Sequence, residues 1–444
     1  MRIPLRLILL IAAAAPAFAD DYPQWLGERR DNVYREPGVL QSVPAGALKR
    51  LWSAPIGGGY AQVAVSGNRV VVLDRVTKGA VVREGKKRLI PGSERIVCLD
   101  DVTGREVWKV EYDCPYTISY AAGPRTTPLI AGGRVYALGA EGDVHCVELE
   151  TGKVVWKRKM PGAPAIWGYA ASPVIEGDLL VLLSSGKPLL TALKKDTGDV
   201  AWTAAEQPDP GYVPPTPMTL GGRRQIVQYH PTGVMAVDPA DGKVLWELPH
   251  GPEQNGVTIV TPVQLDADTV LLAANWTGMA AVRVAPGGAS AKFLWHVKGK
   301  GREVKALQPL HSQVVLRGGF VYGVHQTGAL ACADPKDGRI VWADPKPLLG
   351  DAERVQWGTG FLTPWEPAGG DGPANRYFLA TDTGELIWCE LSPTGYKELG
   401  RAKVIEPTNR DAGRQVVWCH PTYAHQSVYW RNDREVVRVD LRAR

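Results

Sequence analysis

Adjacent cysteines are missing from this chain. Its six Cys stand singly at 98, 114, 146, 332, 389 and 419, and no Cys-x-x-Cys pair occurs. That spacing excludes zinc-ribbon and thioredoxin-type motifs. Long apolar runs are as scarce. After Leu7–Ala15, no stretch approaches the ~18 apolar residues of a membrane-spanning helix. Charge of one sign is missing too. The formal net charge is +5, from 51 basic and 46 acidic residues, and the charges are evenly spread. Such a balance gives no electrostatic footprint for nucleic acid. The densest basic run, Lys86-Lys87-Arg88, reads as a solvated hairpin tip within an insertion. No Gly-rich phosphate loop is present, and Ser, His and Asp are too dispersed to imply a triad.

Residues 1–19 carry Arg2 and Arg6, then the apolar run, then Ala17-Phe18-Ala19 before Asp20. This is the pattern of a secretory leader, too short for a transmembrane segment. It predicts export to the periplasm or beyond, with cleavage before Asp20 and one soluble domain over 20–444. No Cys sits at the cleavage point, so a lipid anchor there is not expected.

What the chain has in plenty is Gly (49), Pro (35) and Trp (15). The pattern Gly-x-x-x-Trp runs through Gly104–Trp108, Gly152–Trp156, Gly198–Trp202, Gly242–Trp246 and Gly338–Trp342, with a degenerate copy ending at Trp295. The Trp-to-Trp steps are 48, 46, 44, 49 and 47 residues, a period of blade-type repeats. Within residues 126–156, three short apolar runs are separated by Gly-containing turns before Val154-Val155-Trp156 opens a fourth. Four strands joined by hairpins make one blade. Thr127-Pro128, Ser172-Pro173, Thr216-Pro217 and Thr261-Pro262 mark where inner strands begin, since Pro belongs at a strand start or sheet edge.

Inner strands starting near Gln62, Thr127, Ser172, Thr216, Thr261, Ser312, Phe361 and Pro421 predict an all-β, eight-bladed propeller, with seven blades as the fallback. Glu435–Leu441 lacks a following Trp strand, and residues 47–54, with Trp52, supply one. Ring closure by the N-terminal strand follows from that match. Trp52, Trp108, Trp156, Trp202, Trp246, Trp295 and Trp342 are expected to lock neighbouring blades, since each indole buries about 150–250 Å². Cys98, Cys146 and Cys332 fall at one repeat position and read as small buried fillers.

Strings such as Ala236-Val-Asp-Pro-Ala-Asp-Gly-Lys-Val-Leu-Trp246 resemble the PQQ-repeat β-propellers, over about Tyr22 to Arg444. That family includes quinoprotein alcohol dehydrogenases and the propeller lipoprotein of the β-barrel assembly (Bam) machinery. Tyr22-Pro-Gln-Trp-Leu-Gly and Gly123-Pro-Arg-Thr-Thr-Pro are similar to a subgroup of exported, single-domain PQQ-binding-like propellers. For a dehydrogenase, the resemblance implies PQQ held between a Trp and an adjacent Cys-Cys disulfide, a calcium ion and an Asp base. This chain has no Cys-Cys pair and no compact acidic cluster, and Asn432-Asp433 reads as a turn. For the Bam relative, the resemblance implies a lipid-anchoring Cys, which the leader lacks.

Residues just ahead of the inner strands are expected at one channel mouth: Tyr60, Arg125, Trp167, Tyr169, His311, Trp357 and His420. Such a ring suits a protein or peptide edge, a glycan or an anion, while the imidazoles on the plainer reading hydrogen-bond backbone. His420 and His425, with no carboxylate in register, predict no metal site. The expectation is a monomeric, non-catalytic binding or assembly scaffold with no cofactor; PQQ with calcium belongs to the alternative, a quinoprotein oxidoreductase.

Overall fold

The computed structural model describes residues 20–443 except 44–47, 85–86, 251–256, 300–303 and 369–374. Eight four-stranded antiparallel sheets form the blades of a propeller. Their inner strands are Ala64–Ser66, Leu129–Ala131, Val174–Glu176, Thr216–Leu220, Val263–Gln264, Val315–Arg317, Gly360–Pro364 and Thr422–Ala424. The fallback of seven blades is thereby removed. The leader lies outside the described residues, as does the Lys86 end of the basic run. The strands flanking that tip, Val82–Glu84 and Lys87–Leu89, pair as a separate hairpin.

The first six blades repeat one cross-strand pairing. On the fourth strand the Trp faces a small residue of the third: Cys98 opposite Trp108, Cys146 opposite Trp156, Ala192 opposite Trp202, and Cys332 opposite Trp342. A register shift follows directly after that pair. The indole N–H then leaves its own blade. It donates to a carbonyl of the next blade, from Trp52 to Asp101, Trp108 to Leu149, Trp156 to Lys195 and Trp202 to Pro239, at 2.7–3.0 Å.

The Gly of the motif completes the contact. Gly104, Gly152, Gly198, Gly242 and Gly338 have φ between +69° and +76°, where a β-carbon is disfavoured. A β-carbon at any of them would also lie 2.6–2.7 Å from the preceding blade's indole. So Gly and Trp four residues apart act in different contacts. The Gly receives the previous blade's ring, and the Trp goes to the next.

Two blades depart from this pattern. The blade after Trp246 has the turn Pro286-Gly287-Gly288 in place of Asp-Gly, and the Trp246 N–H instead reaches Gln225 Oε1 of its own blade at 2.6 Å. In the seventh blade the large residue changes strand. Trp388 lies on the third strand opposite Gly400 of the fourth, and its N–H donates to Leu40 O. All six cysteines are buried and free, with Cys98, Cys146 and Cys332 as fillers beneath indoles.

The ring closes as the repeat count requires. Arg50–Pro55 pairs with Glu435–Asp440, placing Trp52 opposite Arg438. His425 sits between two carboxylates at this seam, with Nδ1 3.0 Å from Asp101 and Nε2 3.2 Å from Asp21. Neither partner is visible in local spacing, because both lie more than 300 residues away. Burial opposes its charge, but the hydrogen bonds and charges of Asp101 and Asp21 outweigh burial and hold His425 up at about 9.

The segment 20–43 enters the central channel, which the sequence did not reveal. Tyr22 bridges Val65 of the first blade, and Pro23 O accepts from Ile130 N of the second. Arg30 donates towards Pro173 O and Pro215 O, and Trp25 Nε1 bonds Thr261 Oγ1. Asn32 Nδ2 donates to Leu362 O, and Gln426 N to Glu36. These contacts reach seven blades, so the segment is a plug that caps the channel from one side.

Trp246→Ala is expected to destabilise the fold by about 3–5 kcal/mol. Gly152→Ala should cost at least about 1–2 kcal/mol from its backbone conformation alone. Denaturant melts check both, and unchanged midpoints would remove the blade-locking role. The His425 contribution has the opposite sign to a carboxylate's. It is complete below about 6.5 and lost as pH rises through about 9. The stability gap between the native chain and His425→Gln should therefore close across that window.

Candidate functional site at the channel mouth

Opposite the plug, the connections into the inner strands enclose a cavity of about 480 Å³. Tyr60, Arg125, Trp167, His311, Trp357 and His420 line it together. Tyr169 does not. Gly168, at φ +77°, turns the chain after Trp167, and Tyr169 packs in the blade core with its hydroxyl on Pro161 O at 3.0 Å. That residue is withdrawn from the site.

Ring contacts run around the wall. Trp25 meets His420 at 5.5 Å, His420 meets Phe361 at 4.9 Å, and Phe361 meets His311 at 6.0 Å. His311 abuts Trp418 at 5.0 Å, Trp418 abuts Tyr120 at 6.1 Å, and Trp167 continues to Tyr212 at 5.2 Å. Trp25 belongs to the plug, so the plug supplies part of the cavity's lining.

Tyr120, Trp276 and Trp357 hold φ of +53°, +63° and +56°. Left-handed backbone at a bulky residue costs about 1–3 kcal/mol and persists only where surrounding structure enforces it. The enforcing contacts are visible at two of them. A hairpin of Asn409–Asp411 and Arg414–Val416 leans on the wall. Tyr120 donates to Asp411 Oδ1 at 3.0 Å, Arg414 donates to Trp357 O at 2.8 Å, and Asn409 donates to the Tyr60 hydroxyl at 3.0 Å.

Arg125 is the one cation among the described lining residues. Its guanidinium is committed to Gly123 O, Ser119 O and Tyr120 O at 2.6–2.7 Å, and lies 5.2 Å from the Tyr60 ring. Arg125 thus braces the loop carrying Tyr120 rather than presenting a free fork. Burial pushes its pKa down. Burial also pushes His311 to about 3 and His420 to about 4, so both imidazoles are neutral at physiological pH. The Nε2 atoms of His311 and His420 and the Trp418 indole N–H have no hydrogen-bond partner among the described residues.

No Asp or Glu lines the cavity among the described residues. Neighbouring carboxylates are engaged behind the wall, Asp382 with Arg414 and Asp433 with Gly59 N. Cys419 is buried, its thiol pushed up to about 12. This lining does not fit a calcium-assisted quinone site, having among the described residues neither an oxygen cage for a hard cation nor a carboxylate base.

Sequence reading missed Trp25, Tyr120, Tyr212, Trp276, Phe361 and Trp418. Tyr212 and Trp418 stand four residues ahead of inner strands, an offset that could have identified them. Trp276 occupies a hairpin turn, and Trp25 depends on the plug, so neither carries a local signal. With neutral, buried rings, the imidazole resonances of His311 and His420 should stay fixed from pH 5 to 8 in an NMR titration. Movement of either through that range would show a hydrated, chargeable wall.

Residues 92–344, more than half of the chain, match the family model described as outer membrane protein assembly factor BamB. The outer membrane protein assembly factor BamB of Nitrosomonas eutropha is 28% identical over 194 residues, 42% of this chain and 44% of that protein. The quinoprotein alcohol dehydrogenase PedH of Pseudomonas putida is 22% identical over 385 residues, 74% of this chain and 57% of that one. The chain therefore spans less than two thirds of these curated relatives. BamB from Moraxella catarrhalis superposes with a TM-score of 0.57 at 13% identity, covering 90% of this chain and 99% of that structure. This chain belongs to the PQQ-repeat propeller family described as outer membrane protein assembly factor BamB.

Proposed function

We propose that this propeller is an exported, non-catalytic binding protein whose channel-mouth cavity takes an apolar, aromatic-bearing peptide segment of a partner protein. The observation that carries the reading is the chemistry of the wall. It is built from aromatic rings and uncharged imidazoles, with its one guanidinium already bonded to backbone. Such a surface gains by desolvation and stacking, and among the described lining residues it offers no carboxylate to act as a base. Export is supported by the leader-like residues 1–19.

A peptide is favoured over a glycan because sugar hydroxyls need many convergent polar partners. Apart from the rings, the described lining offers Ser172, Asn275 and few other polar groups. Alcohol oxidation, the activity named for the Pseudomonas putida relative, is disfavoured by the missing carboxylates and paired cysteines.

Aromatic-rich peptides should quench tryptophan fluorescence saturably, and the same peptides with Ala at the aromatic positions should not. Trp167→Ala should weaken binding about tenfold, the loss of roughly 1.4 kcal/mol of stacking and burial. Saturable binding of glycans but not peptides, or turnover of alcohols with added PQQ and calcium, would overturn the proposal.

A further inference from the structure

The plug holds a buried acid with no cation beside it. Glu36 is 3% exposed. Its Oε2 accepts from the Tyr34 hydroxyl at 2.6 Å and from Gln426 N at 2.5 Å, and its Oε1 accepts from the backbone N of Asp20 at 2.8 Å. No Lys, Arg or His side chain among the described residues lies within ion-pair distance of it. A carboxylate taken out of water without a counter-charge is among the costliest arrangements in a protein interior. Yet the atom facing Oε1 is no ordinary amide nitrogen. It belongs to the residue directly after Ala17-Phe18-Ala19, where the leader pattern places cleavage.

We propose that removal of the leader supplies the missing cation, so that the new α-ammonium of Asp20 pairs with Glu36 and locks the plug in the channel. Hydrolysis of the Ala19–Asp20 peptide bond by a leader peptidase adds one water. The Ala19 carboxylate departs, and the Asp20 amide nitrogen becomes an amine that takes up a proton. A free α-amino group has a pKa of about 7.7–8.0, so it is charged in neutral solution. It then makes a charge-assisted hydrogen bond where the unprocessed chain offers a neutral one.

Glu36 is well placed to spread the effect. Its Oε2 joins Gln426 of the last blade, its backbone carbonyl accepts from Trp365 Nε1 at 2.9 Å, and Tyr34 N donates to Pro364 O at 2.9 Å. One new charge therefore ties the chain's start to the seventh and eighth blades. Upstream along the same segment lies Trp25, which lines the cavity. Processing would thus fix part of the binding surface as well as the ring. This inference rests on the leader reading of residues 1–19, and its tests separate the two.

The intact mass of protein recovered after export reports cleavage alone; a first residue other than Asp20 would end the proposal at that step. The lock is tested with chain 20–444, released from an N-terminal fusion so that it starts at Asp20. It is compared with the same chain carrying an N-terminal acetyl group or two added residues. The free Asp20 start should melt a few degrees higher and lose its plug to trypsin at Arg29 more slowly. Its α-amine should also acylate several-fold more slowly than an exposed amine. In Glu36→Gln the difference between free and blocked starts should vanish. Equal melting of free and blocked chains, a difference that survives Glu36→Gln, or rapid acylation would each overturn the lock. The acetylated and acylation comparisons need no substitution, so they hold if Glu36→Gln folds poorly.

Discussion

The structure depends on one contact repeated around the ring, an indole laid over a glycine of the next blade. Each blade is a small sheet whose fourth strand leaves one face uncovered, and a sheet of this size cannot bury enough surface by itself. The indole solves two problems in one side chain. It fills the wedge between blades, and its N–H satisfies a carbonyl there that would otherwise lack a partner. Glycine is the only receiver that fits, because the turn needs positive φ and the ring occupies the place of a β-carbon. The exceptions sharpen the rule. Where the receiving turn is altered, Trp246 turns back to Gln225; where the fourth strand carries Gly400, Trp388 supplies the ring from the third strand.

The repeat was legible for a physical reason. The motif's two residues are fixed by local backbone and by neighbours one repeat away, so the constraint appears as a period in the chain. Closure was legible by subtraction, since the last blade lacked a Trp strand and Arg50–Pro55 offered one. The plug was not. Tyr22, Arg30 and Asn32 bond to inner strands far along the chain, and no periodicity carries contacts of that kind. His425 shows the same limit, since its two carboxylates come from the plug and the first blade.

At the site, position relative to the inner strand predicted which residues converge, and the left-handed turn at Gly168 decided the exception. Trp167 faces the cavity; two residues on, past a left-handed glycine, Tyr169 faces the core. Residue type was a poorer guide to role. Arg125 looked like an anion hook, but it faces three loop carbonyls and spends its donors there. Its charge shapes the loop that holds Tyr120.

Rigidity in the ring and strain at its mouth are connected. Tyr120, Trp276 and Trp357 stay in left-handed backbone only if the loops around them cannot relax. The ring gives those loops fixed anchors, and the hairpin at Asn409–Val416 ties the first, second and seventh blades across the wall. An aromatic wall held in this way is set before any ligand arrives, so little ordering cost remains to be met on binding. The plug extends the same logic to the cavity's other side. Trp25 is placed by the Tyr22–Val65 bridge on one flank and by the Glu36 cluster further along the segment. The cavity wall and the contacts that brace the ring's seam therefore share residues 20–43, and a change in one propagates to the other through a segment only about two dozen residues long.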